Sequence, residues 1–131
     1  MNQTVLQWPK RVLGIAYMSL GLATMLLPDL MIDLSVTDAA QANTLTRLIF
    51  QCFGLQATLC GLVAYASEFK RSTYVVLGLA ILPVFVFDYW YVVVDPVMTP
   101  FGGIADGLFN VLFVAMCAIG AGALKTRHKT G

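Results

Sequence analysis

Four long apolar runs take up most of the chain, and its basic residues lie in alternate connections between them. Seven of the eight Lys and Arg residues form three groups: Lys10 and Arg11 before the first run, Lys70 and Arg71 between the second and third, and Lys125, Arg127 and Lys129 after the fourth. Cytoplasmic loops of membrane proteins carry an excess of Lys and Arg. The pattern therefore predicts a four-span membrane protein with both termini in the cytoplasm.

The composition agrees with a bilayer as the solvent. Of 131 residues, 59% are hydrophobic and 11% are charged, whereas a soluble domain carries roughly a quarter charged residues. Four spans of about 20 residues use almost the whole length, which predicts a single domain over residues 1–131. A net charge of +1 gives no case for nucleic-acid binding. We expect an all-α bundle of four transmembrane helices in a cell or inner membrane, with the lipid bilayer as its partner.

The spans are predicted at about residues 12–27, 45–66, 73–94 and 104–124. Trp8, Lys10 and Arg11 before the first span indicate an interfacial anchor with its cations in water. Pro83 lacks a backbone N–H and should bend the third span.

The longest connection, residues 28–44, has apolar side chains at helical spacing and two acids on another face. This pattern favours a short amphipathic helix lying at the outer interface, and a partly ordered loop is the alternative. On the first two spans, Gly14, Gly21, Gly54 and Gly61 predict close helix contact, within one bundle or in a homo-oligomer.

Polar residues in the spans cluster by depth and by face. Helical periodicity places Arg47, Gln51, Gly54, Thr58 and Gly61 within about 80° of arc on the second span. On the fourth span Asp106 and Asn110 share a stripe, and on the third Asp88, Tyr91 and Asp95 do so. The predicted polar cluster therefore comprises Arg47, Gln51, Asp88, Tyr91, Asp106 and Asn110, all in the outer half of the bundle.

Arg47 is expected to point into this bundle and to pair with Asp106 or Asp88. One Arg neutralises one carboxylate, so a second acid remains unmatched. An embedded acid that holds or releases a proton serves acid–base chemistry or ion movement. Asp88 and Asp106 are therefore the candidate catalytic residues. The same polar groups also suit two other roles, a structural pairing that fixes helix register and a pocket for a lipophilic or quinone-like ligand.

The cysteines and the single histidine argue against a metal or redox centre. Cys52, Cys60 and Cys117 all lie in apolar runs without a C-x-x-C motif, and His128 lies in the charged tail. We therefore expect no metal site, no haem and no other cofactor in the isolated chain.

Three segments resemble the small four-helix membrane proteins of the DoxX-like group. They are the Gly-containing first helix that ends in Leu27-Pro28-Asp29, the second helix with Thr46-Arg47-Leu48, Gly54 and Leu59-Cys60-Gly61-Leu62, and the fourth helix that opens Gly103-Ile104-Ala105-Asp106-Gly107. Some members of that group are associated with membrane redox complexes, including small subunits of thiosulfate–quinone oxidoreductases. The resemblance implies a four-helix fold and a partner subunit, and it assigns no catalytic residue.

Three functions follow as expectations. The first is an accessory or ligand-binding subunit that takes a lipophilic molecule or quinone and associates with a membrane protein partner. The second is a small membrane enzyme that uses Asp88 or Asp106 as acid–base and Arg47 as anion or carbonyl binder. The third is a proton-linked transporter.

Overall fold

The computed structural model describes residues 5–38 and 42–122, and the regular elements in these ranges are helices. They are α1 (Trp8–Leu26), α2 (Pro28–Ser35), α3 (Thr44–Ala66), α4 (Arg71–Ala80), α5 (Leu82–Tyr89), a π-helical segment (Trp90–Val94) that continues α5, and α6 (Pro100–Gly120). The all-α prediction is confirmed for these residues. The predicted end of the fourth span, Ala123 and Leu124, lies outside them.

Three helical segments of the described residues are long and apolar enough to cross a membrane. They are 44–66, 71–94 and 100–120, with mean hydropathies of 1.6, 2.0 and 1.8. The first predicted span meets the same test only as the pair α1 and α2, which meet at an angle of 103°. The most apolar stretch within 71–94 has none of its residues buried. So large an exposed apolar surface requires an apolar surrounding, and these helices therefore indicate a membrane protein with three spans, or four if the bent pair counts as one.

Glycines bring α1 and α3 into backbone contact, as the sequence predicted. A Cβ atom added to Gly14 would lie 2.8 Å from the Gly61 carbonyl oxygen, and one added to Gly61 would lie 2.6 Å from the Gly14 carbonyl oxygen. Gly21 and Gly54 meet in the same way two turns along. Only small side chains allow helices to approach so closely, and this is the most extensive helix contact in the described chain.

The remaining contacts place α1 in the middle of the bundle. Its other side packs on α6, and α6 in turn packs on α4 and α5. Helix α2 closes one end by contacting α1, α3 and α6. The end where α2 lies is called the α2 end below, and the opposite one, where residues 67–70 join α3 to α4, is called the turn end.

Hydrogen bonds from the segment before α1 stabilise the turn end. The Gln7 side chain donates to the Phe69 carbonyl (2.8 Å) and accepts from its N–H (3.1 Å). The Tyr74 hydroxyl donates to the Leu6 carbonyl at 2.8 Å. Tyr74 itself is fully buried against Leu13, Phe69 and neighbouring side chains. The main apolar core of the described residues therefore lies at this end.

Lys10 is buried, although the sequence predicted it in water. Its side chain is 5% exposed, and its ammonium donates to the Tyr65 carbonyl at 2.7 Å. Tyr65 belongs to the last turn of α3, where carbonyl groups lack helical partners and attract cations. Arg11, by contrast, is exposed as expected.

The first part of the long connection is helical, as predicted, and α2 is fixed to the loop before α6. Pro28 opens α2 after Leu27 leaves the helical conformation. Thr99 donates its N–H to the Ser35 carbonyl at 2.9 Å and its hydroxyl to the Leu34 carbonyl. Val36 and Met98 form an isolated β-bridge. Residues 39–41 of the connection lie outside the described residues.

The third span is interrupted at two places. The predicted effect of Pro83 is confirmed, because α4 ends at Ala80 and α5 begins at Leu82, immediately before the proline. Beyond Tyr89 the helix widens, and the Asp95 N–H donates to the Trp90 carbonyl, five residues back. The Tyr91 carbonyl, its α-helical acceptor, is instead taken by the Met98 N–H at 3.0 Å. The π-helical turn thus coincides with a loop hydrogen bond to the carbonyl that an α-helix would have used.

Candidate functional site

Asp88, Asp106 and Asn110 form one hydrogen-bonded group between α5 and α6. Asp106 and Asn110 lie one turn apart on α6, and Asp88 faces them from α5. The Asn110 amide nitrogen donates to a carboxylate oxygen of each acid, and both distances are 3.2 Å. Asn110 is only 4% exposed. The predicted meeting of these three residues is confirmed.

This arrangement uses both N–H groups of one amide to hold two carboxylates. Among the described residues, neither Asp88 nor Asp106 forms an ion pair with a Lys or Arg side chain. Two acids therefore share a neutral donor. A carboxyl group accepts hydrogen bonds when ionised and can also donate one when protonated, so this group can offer hydrogen bonds to a bound molecule.

The predicted pairing of Arg47 with Asp106 or Asp88 is wrong. Arg47 pairs with Asp29 instead, with Nη2 2.8 Å and Nε 2.9 Å from the same carboxylate oxygen. The two side chains are 53% and 69% exposed. The reason is the sharp turn before α2, which brings Asp29 over the first turn of α3. Arg47 can pair there without giving up its hydration, whereas pairing at Asp106 would require desolvation.

Gln51 and Tyr91 also lie apart from the group. Gln51 is exposed, whereas Gly54 and Gly61 of the same predicted stripe are buried against α1. At 100° per residue Gln51 lies about 80° from Gly61, at the edge of the stripe. Tyr91 is 41% exposed, and it lies in the π-helical segment, where the residues per turn differ from those of the α-helix from which its face was predicted.

A cavity of about 450 Å³ lies at the α2 end, beside Asp106. Its floor comes from α1 and its cover from α2, and its sides come from α3 and α6. Apart from Thr24, Ser35 and Asp106 its walls are apolar or glycine. The lining residues are Leu20, Thr24, Met31, Leu34, Ser35, Ile49, Phe50, Phe53, Met98, Phe101, Gly102, Ala105, Asp106 and Phe109.

The polar groups of the cavity differ in what they can offer a ligand. The Thr24 hydroxyl donates to the Leu20 carbonyl at 2.8 Å within its own helix. Asp106 accepts from Asn110 through one oxygen, and its carboxyl group also lines the cavity. Asp106 is therefore the cavity's main polar contact. The rest of the surface offers only van der Waals and aromatic contact, from Phe50, Phe53 and Phe109 among others.

A second, smaller cleft of about 230 Å³ surrounds the ion pair of Arg47 and Asp29. Asp33 and Asn43 also line it. Arg47 thus lies at this exposed cleft and does not line the apolar cavity.

The residues that α2 brings to the site were not among those predicted from the sequence. Met31, Leu34 and Ser35 line the cavity, and Asp29 holds Arg47. The sequence pattern indicated a helix in residues 28–35, but it did not indicate the direction of that helix relative to α1. Thr24 was also missed, although a lone hydroxyl in an apolar span is a signal of an inward-facing position.

Within residues 5–38 and 42–122, no three His, Cys, Asp or Glu side chains converge as metal ligands would. Comparisons of the chain with models of protein families, with curated proteins and with solved structures give no match.

Proposed function

We propose that this protein is a multi-pass membrane protein that binds a lipophilic small molecule of the quinone class in the cavity beside Asp106. The observation that carries the proposal is the cavity itself, which combines apolar walls with one carboxyl group. Ligand cavities typically measure about 300–1,000 Å³ and place few polar groups among many apolar ones. A quinone or a similar carbonyl compound has this division between a lipophilic body and a polar edge.

The position of the cavity supports entry from the bilayer. Its side walls, α3 and α6, are both span-length apolar helices, and they are not packed on each other along their length. A lipophilic molecule dissolved in the hydrocarbon region could pass between them without crossing water. Asp106 would then hydrogen-bond to the polar edge of the ligand, while the aromatic side chains contact its lipophilic body.

We further propose that both termini lie in the cytoplasm and that the α2 end faces the opposite side of a cell or inner membrane. The distribution of Lys and Arg supports this orientation. The resemblance to the DoxX-like group supports an accessory role beside a redox partner, for which a quinone is a suitable ligand.

Acid–base chemistry on the bound molecule is the second candidate function. It is favoured by the contact of Asp106 with both the cavity and the Asn110 amide. Asp106 would give its proton to the ligand, and the Asn110 amide would stabilise the carboxylate left behind. Arg47 does not take part in this second candidate function, because it forms an ion pair with Asp29.

Thermal unfolding in detergent with decylubiquinone tests the proposal. A bound ligand raises the unfolding temperature as its concentration rises. We expect saturable stabilisation of the wild-type chain and of Ile104→Phe, whose side chain lies outside the cavity. Ala105→Phe adds the same ring one position along, inside the cavity, and should abolish the stabilisation. Equal stabilisation of both variants, or none of the wild type, would contradict a quinone site here.

A further inference from the structure

Gln56 lies in the middle of α3 on the side that faces away from the protein. Twelve residues separate it from Thr44 and ten from Ala66, so it lies about 18 Å and 15 Å from the two helix ends. In a membrane this depth is close to the centre of the hydrocarbon region, about 30 Å thick. Gln56 is exposed, and among the described residues no group hydrogen-bonds to its amide.

The face around Gln56 is separate from the surface that packs on α1. Gly61, which contacts α1, lies about 140° away around the helix. The neighbours of Gln56 one and two turns along are all exposed, and they are Ile49, Cys52, Phe53, Leu59, Cys60 and Val63. Two of them, Ile49 and Phe53, also line the cavity at the α2 end. The whole set is called the Gln56 face. An amide at its centre, facing lipid, would have no hydrogen-bond partner, which is costly in hydrocarbon.

We propose that the Gln56 face is where two copies of this chain associate. Two copies inserted in the same orientation have parallel α3 helices. A two-fold axis normal to the membrane then places Gln56 of one copy opposite Gln56 of the other at the same depth. An amide has both a donor and an acceptor. Each Gln56 can therefore donate to the carbonyl oxygen of the other, which satisfies both amides at once.

The neighbouring side chains suit this arrangement. Cys52 and Cys60 flank Gln56 one turn to either side and are small, so the two α3 backbones can approach closely. The four larger apolar residues surround this centre and would exclude lipid from it. A second copy supplies the required amide at the required depth by symmetry alone. The inference needs only that α3 spans the membrane, and it does not depend on the ligand of the cavity.

Energy transfer between donor- and acceptor-labelled copies in phosphatidylcholine vesicles measures the association. We expect transfer that falls as the protein is diluted with lipid. Gln56→Leu should weaken the association roughly threefold to thirtyfold, the range expected for an interhelical hydrogen bond of about 0.6–2 kcal/mol in a membrane. Gln51→Leu removes an exposed amide from another face of the same helix and should leave the association unchanged.

The native cysteines provide an independent test of which face is used. Mild oxidation in the same vesicles should give disulfide-linked dimers from chains that keep only Cys52 or only Cys60. A chain that keeps only Cys117, which is buried in α6, should form no disulfide cross-link. A wild-type chain that is monomeric in vesicles would overturn the proposal, as would equal effects of Gln56→Leu and Gln51→Leu or cross-linking through Cys117 alone.

Discussion

Gly21 of α1 and Gly54 of α3 lie backbone to backbone. A Cβ atom added to Gly54 would lie 2.6 Å from the Gly21 carbonyl oxygen, and one added to Gly21 would lie 2.6 Å from the Gly54 carbonyl oxygen. Both obstacles are backbone atoms, which cannot move without separating the helices. This contact holds α1 beside α3, and it thereby fixes one wall and the floor of the cavity.

Gly54→Ala should therefore destabilise the protein by about 1–3 kcal/mol, the usual cost of overpacking. Gly107→Ala is the matched control, because a Cβ atom at Gly107 would have nothing within 4 Å. At that helical position alanine is favoured over glycine by up to about 1 kcal/mol. Thermal unfolding followed by circular dichroism in detergent compares the two. Equal stability of both variants would contradict the backbone contact.

Asn110→Leu should remove the one donor that serves two carboxylates. Half-buried acceptors left without a partner cost about 1–3 kcal/mol, so we expect a loss of stability in this range. Adding Asp88→Asn should recover part of the loss, since it removes one of the two acids and supplies a new amide for Asp106. Chemical denaturation of the single and double variants measures the coupling. Additive effects would indicate that the three side chains do not act as one group.

The ion pair of Arg47 with Asp29 should contribute little to stability. Both groups are more than half exposed, and pairs of this kind are worth about 0–1 kcal/mol. Arg47→Gln should therefore change the unfolding free energy by less than about 1 kcal/mol. A double-mutant cycle should show its small coupling with Asp29→Asn and none with Asp106→Asn. A coupling with Asp106 above about 1 kcal/mol would restore the inward pairing that the sequence suggested.

The features that depend on local periodicity could be predicted from the sequence. Asp106 and Asn110 are four residues apart on one helix, so their shared face follows from helical geometry alone. The glycines of α1 and α3 were informative because small residues in apolar spans serve mainly to bring backbones together. The break before Pro83 follows from its missing N–H.

The features that depend on tertiary geometry could not be predicted. The partner of Arg47 depends on the 103° angle between α1 and α2. The spacing of residues in the sequence does not determine such an angle. Tyr91 lies in a π-helical turn, and its carbonyl accepts from a loop residue, Met98. The periodicity of an α-helix does not apply there. Lys10 lies in the first turn of α1, and the carbonyl that accepts from it belongs to Tyr65, 55 positions along the chain.

The proposed orientation is testable because the structure places distant residues at the same end of the bundle. The Thr37 N–H donates to the Val97 carbonyl at 3.0 Å, so Asp38 and Val97 must lie on one side of the membrane. Glu68 lies in the opposite connection, at the turn end. In a chain without native cysteines, Asp38→Cys and Val97→Cys should react with a membrane-impermeant maleimide added outside intact cells. Glu68→Cys should react only after the membrane is opened.

The two possible failures of this experiment have different meanings. Reaction of Glu68→Cys alone from outside would reverse the orientation and contradict the assignment drawn from Lys and Arg. Reaction of Asp38→Cys and Val97→Cys from opposite sides would contradict the arrangement of the spans, since the backbone hydrogen bond between Thr37 and Val97 could not form. Thr130→Cys should be protected in intact cells, as Glu68→Cys is, if the positive charges of the C-terminal segment keep it in the cytoplasm.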